Sequence, residues 1–117
     1  MNQLITKLEP GPRNTFGLTE RDMDVFHAAF SAYPEVEKVV IFGSRAKGNF
    51  KPGSDIDLVI TDGSIDIKTF LALRSSIEES SLPYKVDLFY LPEFVHKELT
   101  EHILRAGIIF YQKALPA

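Results

Sequence analysis

The stretch from Val39 to Ile60, V-V-I-F-G-S-R-A-K-G-N-F-K-P-G-S-D-I-D-L-V-I, constrains this chain more than any other. An apolar run, Val39 to Phe42, delivers Gly43 and Ser44; ten residues follow, and Asp55 and Asp57 then open a second apolar run, Leu58 to Ile60. Two strands therefore bracket one polar loop. The loop is too short and too rich in Gly and Lys for a crossover helix, so the strands are expected to be antiparallel neighbours. Residues two apart on a strand point to the same face, which sets the Asp55 and Asp57 carboxylates side by side. Such a pair repels unless it shares a proton or a cation, and hard oxygen ligands suit magnesium. The pair reads as a divalent metal site, although D-x-D alone also fits a turn cap or a solvated edge.

The rest of the chain supplies elements to pack around these strands. Pro10, Gly11, Pro12 and Gly17 make residues 1–18 read as a loose N-terminal arm, leaving 19–117 as one domain. Thr19 with Asp22 three residues on is an N-cap signal ahead of Met23, Phe26, Ala29, Phe30 and Tyr33, a helical spacing stopped by Pro34. The first strand spans 37–42 and the second about 55–61. Asp66 caps a second helix carrying Ile67, Phe70, Leu71, Leu73 and Ile77. Residues 84–91, Y-K-V-D-L-F-Y-L, read as a third strand, and Phe94, Val95, Leu99, Ile103 and Ala106 as a final helix ended by Gly107. A short terminal strand covers 108–111. The helix between the second and third strands permits a parallel right-handed crossover. The fold class is α/β (α+β): a small mixed sheet with helices packed on it.

Asp87 sits in the otherwise apolar Val86-Asp87-Leu88-Phe89-Tyr90, with Lys85 its only basic neighbour. A carboxylate buried there is costly unless paired or bound to a cation; the alternative is a strand edge with Asp87 in water. If the third strand lies beside the second, Asp87 reaches the Asp55–Asp57 pocket. Gly43 and Ser44, at the end of a strand and the start of a helical turn, offer close backbone approach and free N–H groups to a phosphate. Arg45 and Lys47 add positive charge. Three carboxylates opposite such a turn equip a chain for metal-assisted phosphoryl or nucleotidyl transfer. The P-loop is excluded because Asn49 stands where it needs Lys, the dinucleotide fingerprint because position 45 is not Gly, and an EF-hand because Val59 supplies no oxygen. His27, His96 and His102 share no face and read as surface or half-buried residues.

A formal charge of -3 and a pI near 5.6 argue against direct nucleic-acid binding. No cysteine is present, so no disulfide and no thiolate zinc site is possible. No apolar run approaches a membrane span and residues 1–8 lack signal-peptide character, making a cytoplasmic location the default.

Gly43-Ser44, ten residues, Asp55-Ile56-Asp57 and a downstream strand Asp87 together resemble the signature of the nucleotidyltransferase superfamily that includes DNA polymerase beta. The tighter strings G-S-R-A-K-G and S-D-I-D-L look like the minimal nucleotidyltransferase (MNT) proteins, a likeness running from the first helix to the last strand. The resemblance implies the nucleotidyltransferase fold and an adenylyltransferase that uses ATP and two magnesium ions. It implies that Asp55 and Asp57 hold the metals and the triphosphate, that Asp87 is the third ligand and helps deprotonate the attacking hydroxyl, and that Gly43 and Ser44 bind the β and γ phosphates. Arg45 and Lys47 steady the leaving pyrophosphate in this reading. With no room in 117 residues for an acceptor domain, the acceptor is expected from another polypeptide or a second copy, as a hetero-oligomer or homodimer. Many MNT proteins are antitoxins that add AMP to a tyrosine of a HEPN-family toxin, and that is the partner expected here. Two alternatives stay open: an antitoxin that acts sterically without catalysis, and transfer to a small hydroxylated molecule such as an antibiotic.

Overall fold

The computed structural model describes residues 12–91 and 96–114. Along the chain run α1 (Glu20–Ser31), β1 (Lys38–Phe42), the one-turn α2 (Ser44–Lys47), β2 (Ile56–Asp62), α3 (Ile67–Glu78), β3 (Val86–Tyr90), α4 (Lys97–Ala106) and β4 (Ile108–Gln112). The four strands form one sheet in the order β3-β2-β1-β4. β1 is antiparallel to both β2 and β4, while β2 and β3, joined through α3, are parallel. The mixed sheet expected from loop lengths is the one observed.

Helix starts follow local chemistry. Thr19 and Asp22 form a reciprocal capping box at α1, the Thr19 hydroxyl accepting from the Asp22 N–H and the Asp22 carboxylate from the Thr19 N–H. Asp66 caps α3 by accepting from the Thr69 N–H at 2.7 Å. Strand alternation then sorts the sheet into two faces. Phe26 and Phe30 of α1 and Phe70, Leu73 and Ile77 of α3 pack with Val39, Ile41, Leu58 and Ile60 in the main core. On the opposite face Ile103 of α4 covers Val40 and Val59 in a smaller cluster. Each such side chain stabilises the fold by roughly 1.5–3 kcal/mol, so the sheet is held mainly from the α1/α3 side. Phe94 and Val95, expected on the last helix, lie outside the described residues; α4 is described from Lys97.

Residues 12–18, read from their breakers as part of a loose arm, are tied down. The Asn14 side-chain oxygen accepts from the N–H groups of Phe16 and Leu18, Arg13 and Thr19 form a β-bridge, and Leu18 is 1% exposed within the core. Breakers fix where the chain turns; long-range burial of Leu18 fixes whether the turn is held. Residues 1–11 lie outside the described part.

Candidate active site

β1 ends in Phe42, whose partner on β2 is Asp57. The next residue, Gly43, turns the chain with φ +76° into α2, and its backbone passes so close to Asp57 that a Cβ there would collide with the carboxylate oxygen Oδ2. Only glycine meets both demands, the left-handed φ and the missing side chain. Gly43 and one of the two acids, Asp57, are therefore close neighbours. Ser44 is half-buried at the first position of α2, and Lys47 at its last position is exposed.

Asp55 immediately precedes β2 and Asp57 lies within it. Across the parallel β2–β3 ladder Asp57 is the register partner of Asp87, so all three acidic residues come to one end of two adjacent strands. Burial pushes the Asp57 carboxyl above the usual carboxylate range, and the neighbouring Asp87 and Asp55 charges push it the same way, against the pull of Lys85. Lys85 is the site residue that the sequence reading passed over. Its Nζ lies 4.0 Å from Asp55 Oδ2 and 3.9 Å from Asp87 Oδ1, spanning two of the three acids. The available signal was its spacing, two residues before Asp87 and hence on the same strand face.

Among the described residues no three His, Asp or Glu side chains are gathered closely enough to hold a metal as they stand. The convergence expected from the sequence is thus one of strand positions and mutual repulsion, with Lys85 the nearest counter-charge. The donor chemistry still fits a hard divalent cation: carboxylate oxygens only, one of them penalised for its charge by burial and by its neighbours.

Arg45 does not face this cluster. Its side chain is 1% exposed and its guanidinium donates to the backbone carbonyls of Phe16 (2.8 Å), Ser54 (2.9 and 3.1 Å) and Pro52 (3.3 Å). The Phe50 and Tyr84 rings lie 5.0 and 4.9 Å from its central carbon. The Tyr84 hydroxyl donates to Asp22 and accepts from Arg13, both at 2.9 Å. Arg45, expected on a phosphate, is instead committed to the loop that carries Asp55, because four of its N–H contacts go to carbonyls that would otherwise lose their partners.

Residues 26–114 match the family model "Polymerase beta, Nucleotidyltransferase". The chain belongs to the polymerase beta nucleotidyltransferase family. Within it, a segment of 48 residues is 44% identical to the Haemophilus influenzae protein described as "Probable protein adenylyltransferase MntA", covering 40% of this chain and 42% of that one. The chain thus matches less than half the length of this relative. Two solved structures share the nucleotidyltransferase fold. One, a toxin–antitoxin crystal structure with AMP-PNP, superposes with a TM-score of 0.63 at 20% identity over 79% of this chain and 74% of that one. The other, a mutant of the toxin–antitoxin MntA-HpeT, gives 0.60 at 17% identity over 78% and 73%. This nucleotidyltransferase contains no helix among the described residues long and apolar enough to cross a membrane.

Proposed function

We propose that this nucleotidyltransferase moves AMP from ATP to a tyrosine hydroxyl of a partner polypeptide, a HEPN-family toxin, and acts in the cytoplasm as its antitoxin. The observation that carries the reading is the register pairing of Asp57 with Asp87 beside a glycine corner that admits no side chain. The closeness of Gly43 to Asp57, and of Asp57 to Asp87 across the ladder, supports reading the corner as a phosphate-accepting turn beside a carboxylate pair. The MntA likeness in the matched segment and the fold shared with toxin–antitoxin structures, one of them with AMP-PNP, support the choice of nucleotide and of partner class.

In this reading Asp55 and Asp57 hold two magnesium ions and, through them, the triphosphate, with Asp87 as the third ligand. The bound cations supply the positive charge that offsets the developing negative charge of an in-line displacement. Gly43 N–H and the Ser44 N–H and hydroxyl take the β and γ phosphates, and exposed Lys47 flanks the leaving pyrophosphate. Asp87, on the strand at the sheet edge, accepts the proton of the attacking hydroxyl. Lys85 neutralises the acids before nucleotide arrives. Arg45 holds the loop between α2 and β2 in shape and so positions Asp55.

The test is transfer of label from α-labelled ATP, with magnesium, to the polypeptide encoded beside this chain. Labelled tyrosine with wild type and none with Asp55→Ala or Asp87→Ala is the expected result. Neutralisation of the toxin that survives Asp55→Ala unchanged would reject catalysis in favour of steric blocking.

A further inference from the structure

β3 is an edge strand, and its outer side forms one wall of a groove. Among the described residues the sheet order leaves β3 paired only with β2. The Ile56 N–H donates to the Lys85 carbonyl at 2.9 Å, which in a parallel ladder turns the backbone of Lys85, Asp87 and Phe89 toward β2. The N–H and C=O groups of Val86, Leu88 and Tyr90 therefore point outward, and no described residue bonds them. Edge groups of this kind are a ready template for another strand.

The opposite wall is α3. Phe70, Arg74 and Glu78 recur every fourth residue, forming one row along the helix. A cavity of about 280 Å³ lies between Phe70, Arg74, Leu88 and Tyr90, and a second of about 150 Å³ continues past Arg74, Glu78 and Leu88 to Asp87. The two share Arg74, Leu88 and Phe89, so together they run along the edge from an apolar, aromatic end as far as Asp87. Arg74 lies over the Phe70 ring at 5.8 Å and is the one cation among the described residues that line the groove, against Asp66, Glu78 and Asp87. A polyanion finds no basic track here.

We propose that this channel is the acceptor subsite, and that its occupant is an extended, tyrosine-bearing segment of the partner polypeptide that adds to β3 as a further strand. The assignment of its tyrosine as acceptor rests on the adenylyl-transfer reading above. Backbone pairing with Val86, Leu88 and Tyr90 supplies affinity without regard to sequence, while the aromatic cavity takes one apolar side chain. Five residues of β3 at about 3.3 Å each give an edge of about 16 Å, enough to fix a tyrosine at the Asp87 end when the anchor occupies the Phe70 end.

The test uses the full chain labelled with ¹⁵N and a short capped peptide alternating threonine and valine around one tyrosine, added to millimolar concentration. The Val86, Leu88 and Tyr90 amides are expected to shift most. N-methylation of the peptide at the residues facing β3, or Val86→Pro in the protein, is expected to weaken binding by about tenfold or more. Proline at a strand's first residue leaves the β2 ladder whole. No shift at the outer amides, equal binding of the N-methylated peptide, or the same shifts on concentrating the chain alone, which would mark a second copy as the occupant, each overturns the proposal. Edge pairing with no AMP placed on the tyrosine by labelled ATP upholds the docking site and counts against the transfer reading, so the two fail separately.

Discussion

Replacing Arg45 by alanine should damage folding far more than any direct contact with nucleotide. The guanidinium satisfies the half-buried carbonyls of Phe16 and Ser54 and, more weakly, that of Pro52. An acceptor left without its donor costs about 1–3 kcal/mol when water cannot replace it, and two of the three sit where water enters poorly. The Phe50 and Tyr84 faces add about 0.5–1 kcal/mol each. Together the loss is about 3–8 kcal/mol, a large share of the roughly 5–15 kcal/mol that holds a domain of this kind. Urea unfolding followed by far-UV circular dichroism, with magnesium-dependent ATP binding by calorimetry on the same samples, separates the two roles. Arg45→Lys keeps the charge but loses the planar fork and should cost about 2 kcal/mol while leaving ATP affinity within about twofold for the fraction that is folded. An Arg45→Ala loss below about 1 kcal/mol would refute this account. So would an Arg45→Lys protein of unchanged stability with weakened ATP binding, which would return Arg45 to the phosphates.

Further predictions concern the acid cluster and its corner. The Asp57 pKa is raised in the folded chain, so between the usual 3.8 and the raised value the native state holds more protons than the unfolded one, and stability falls as pH rises through that window. Asp57→Asn should therefore unfold at higher denaturant than wild type at neutral pH, with the gap closing below the usual carboxylate range; a less stable Asn variant at neutral pH would contradict the burial penalty. Gly43→Ala must place a Cβ against the Asp57 carboxylate at a positive φ, and should cost about 1–3 kcal/mol and reduce AMP transfer by far more than that cost explains; full activity would show that the corner does not set Asp57. Lys85→Met removes the cation within 4.0 Å of Asp55 and 3.9 Å of Asp87, and should tighten manganese binding by about two- to fivefold, an exposed charge at this range being worth at most about 1 kcal/mol. Calorimetry showing weaker binding would make Lys85 part of the site's support instead of a competitor.

Sequence legibility followed the range of the interactions. Strand periodicity and the spacing of Gly43, Asp55 and Asp57 are local, and β1 lies against β2 in antiparallel register; Asp87 is distant in sequence, and its place opposite Asp57 was legible only through the helix that joins β2 to β3 as a parallel crossover. The caps at Thr19 and Asp66 were equally readable, since the residues that bond lie within one turn. Arg45 was not. An arginine between Ser44 and Lys47 in a polar loop looks solvated or phosphate-bound, and nothing nearby announces that its partner is the Phe16 carbonyl, 29 residues away. Leu18 failed for the same reason, its burial depending on the core and not on the prolines and glycines beside it. Lys85 lay in plain view but was weighed as a neighbour in sequence, where its strand face mattered more.

The reach of Arg45 back to residue 16 alters where this molecule can be cut. Phe16, Leu18, Thr19 and Asp22 all precede the start of the family match at residue 26, yet Phe16 caps the buried guanidinium and Asp22 receives the Tyr84 hydroxyl. A fragment trimmed to that boundary keeps every acidic residue of the site and removes the brace beneath the loop that delivers them. Family limits drawn by similarity mark where relatives agree, whereas the mechanical unit of this protein begins earlier.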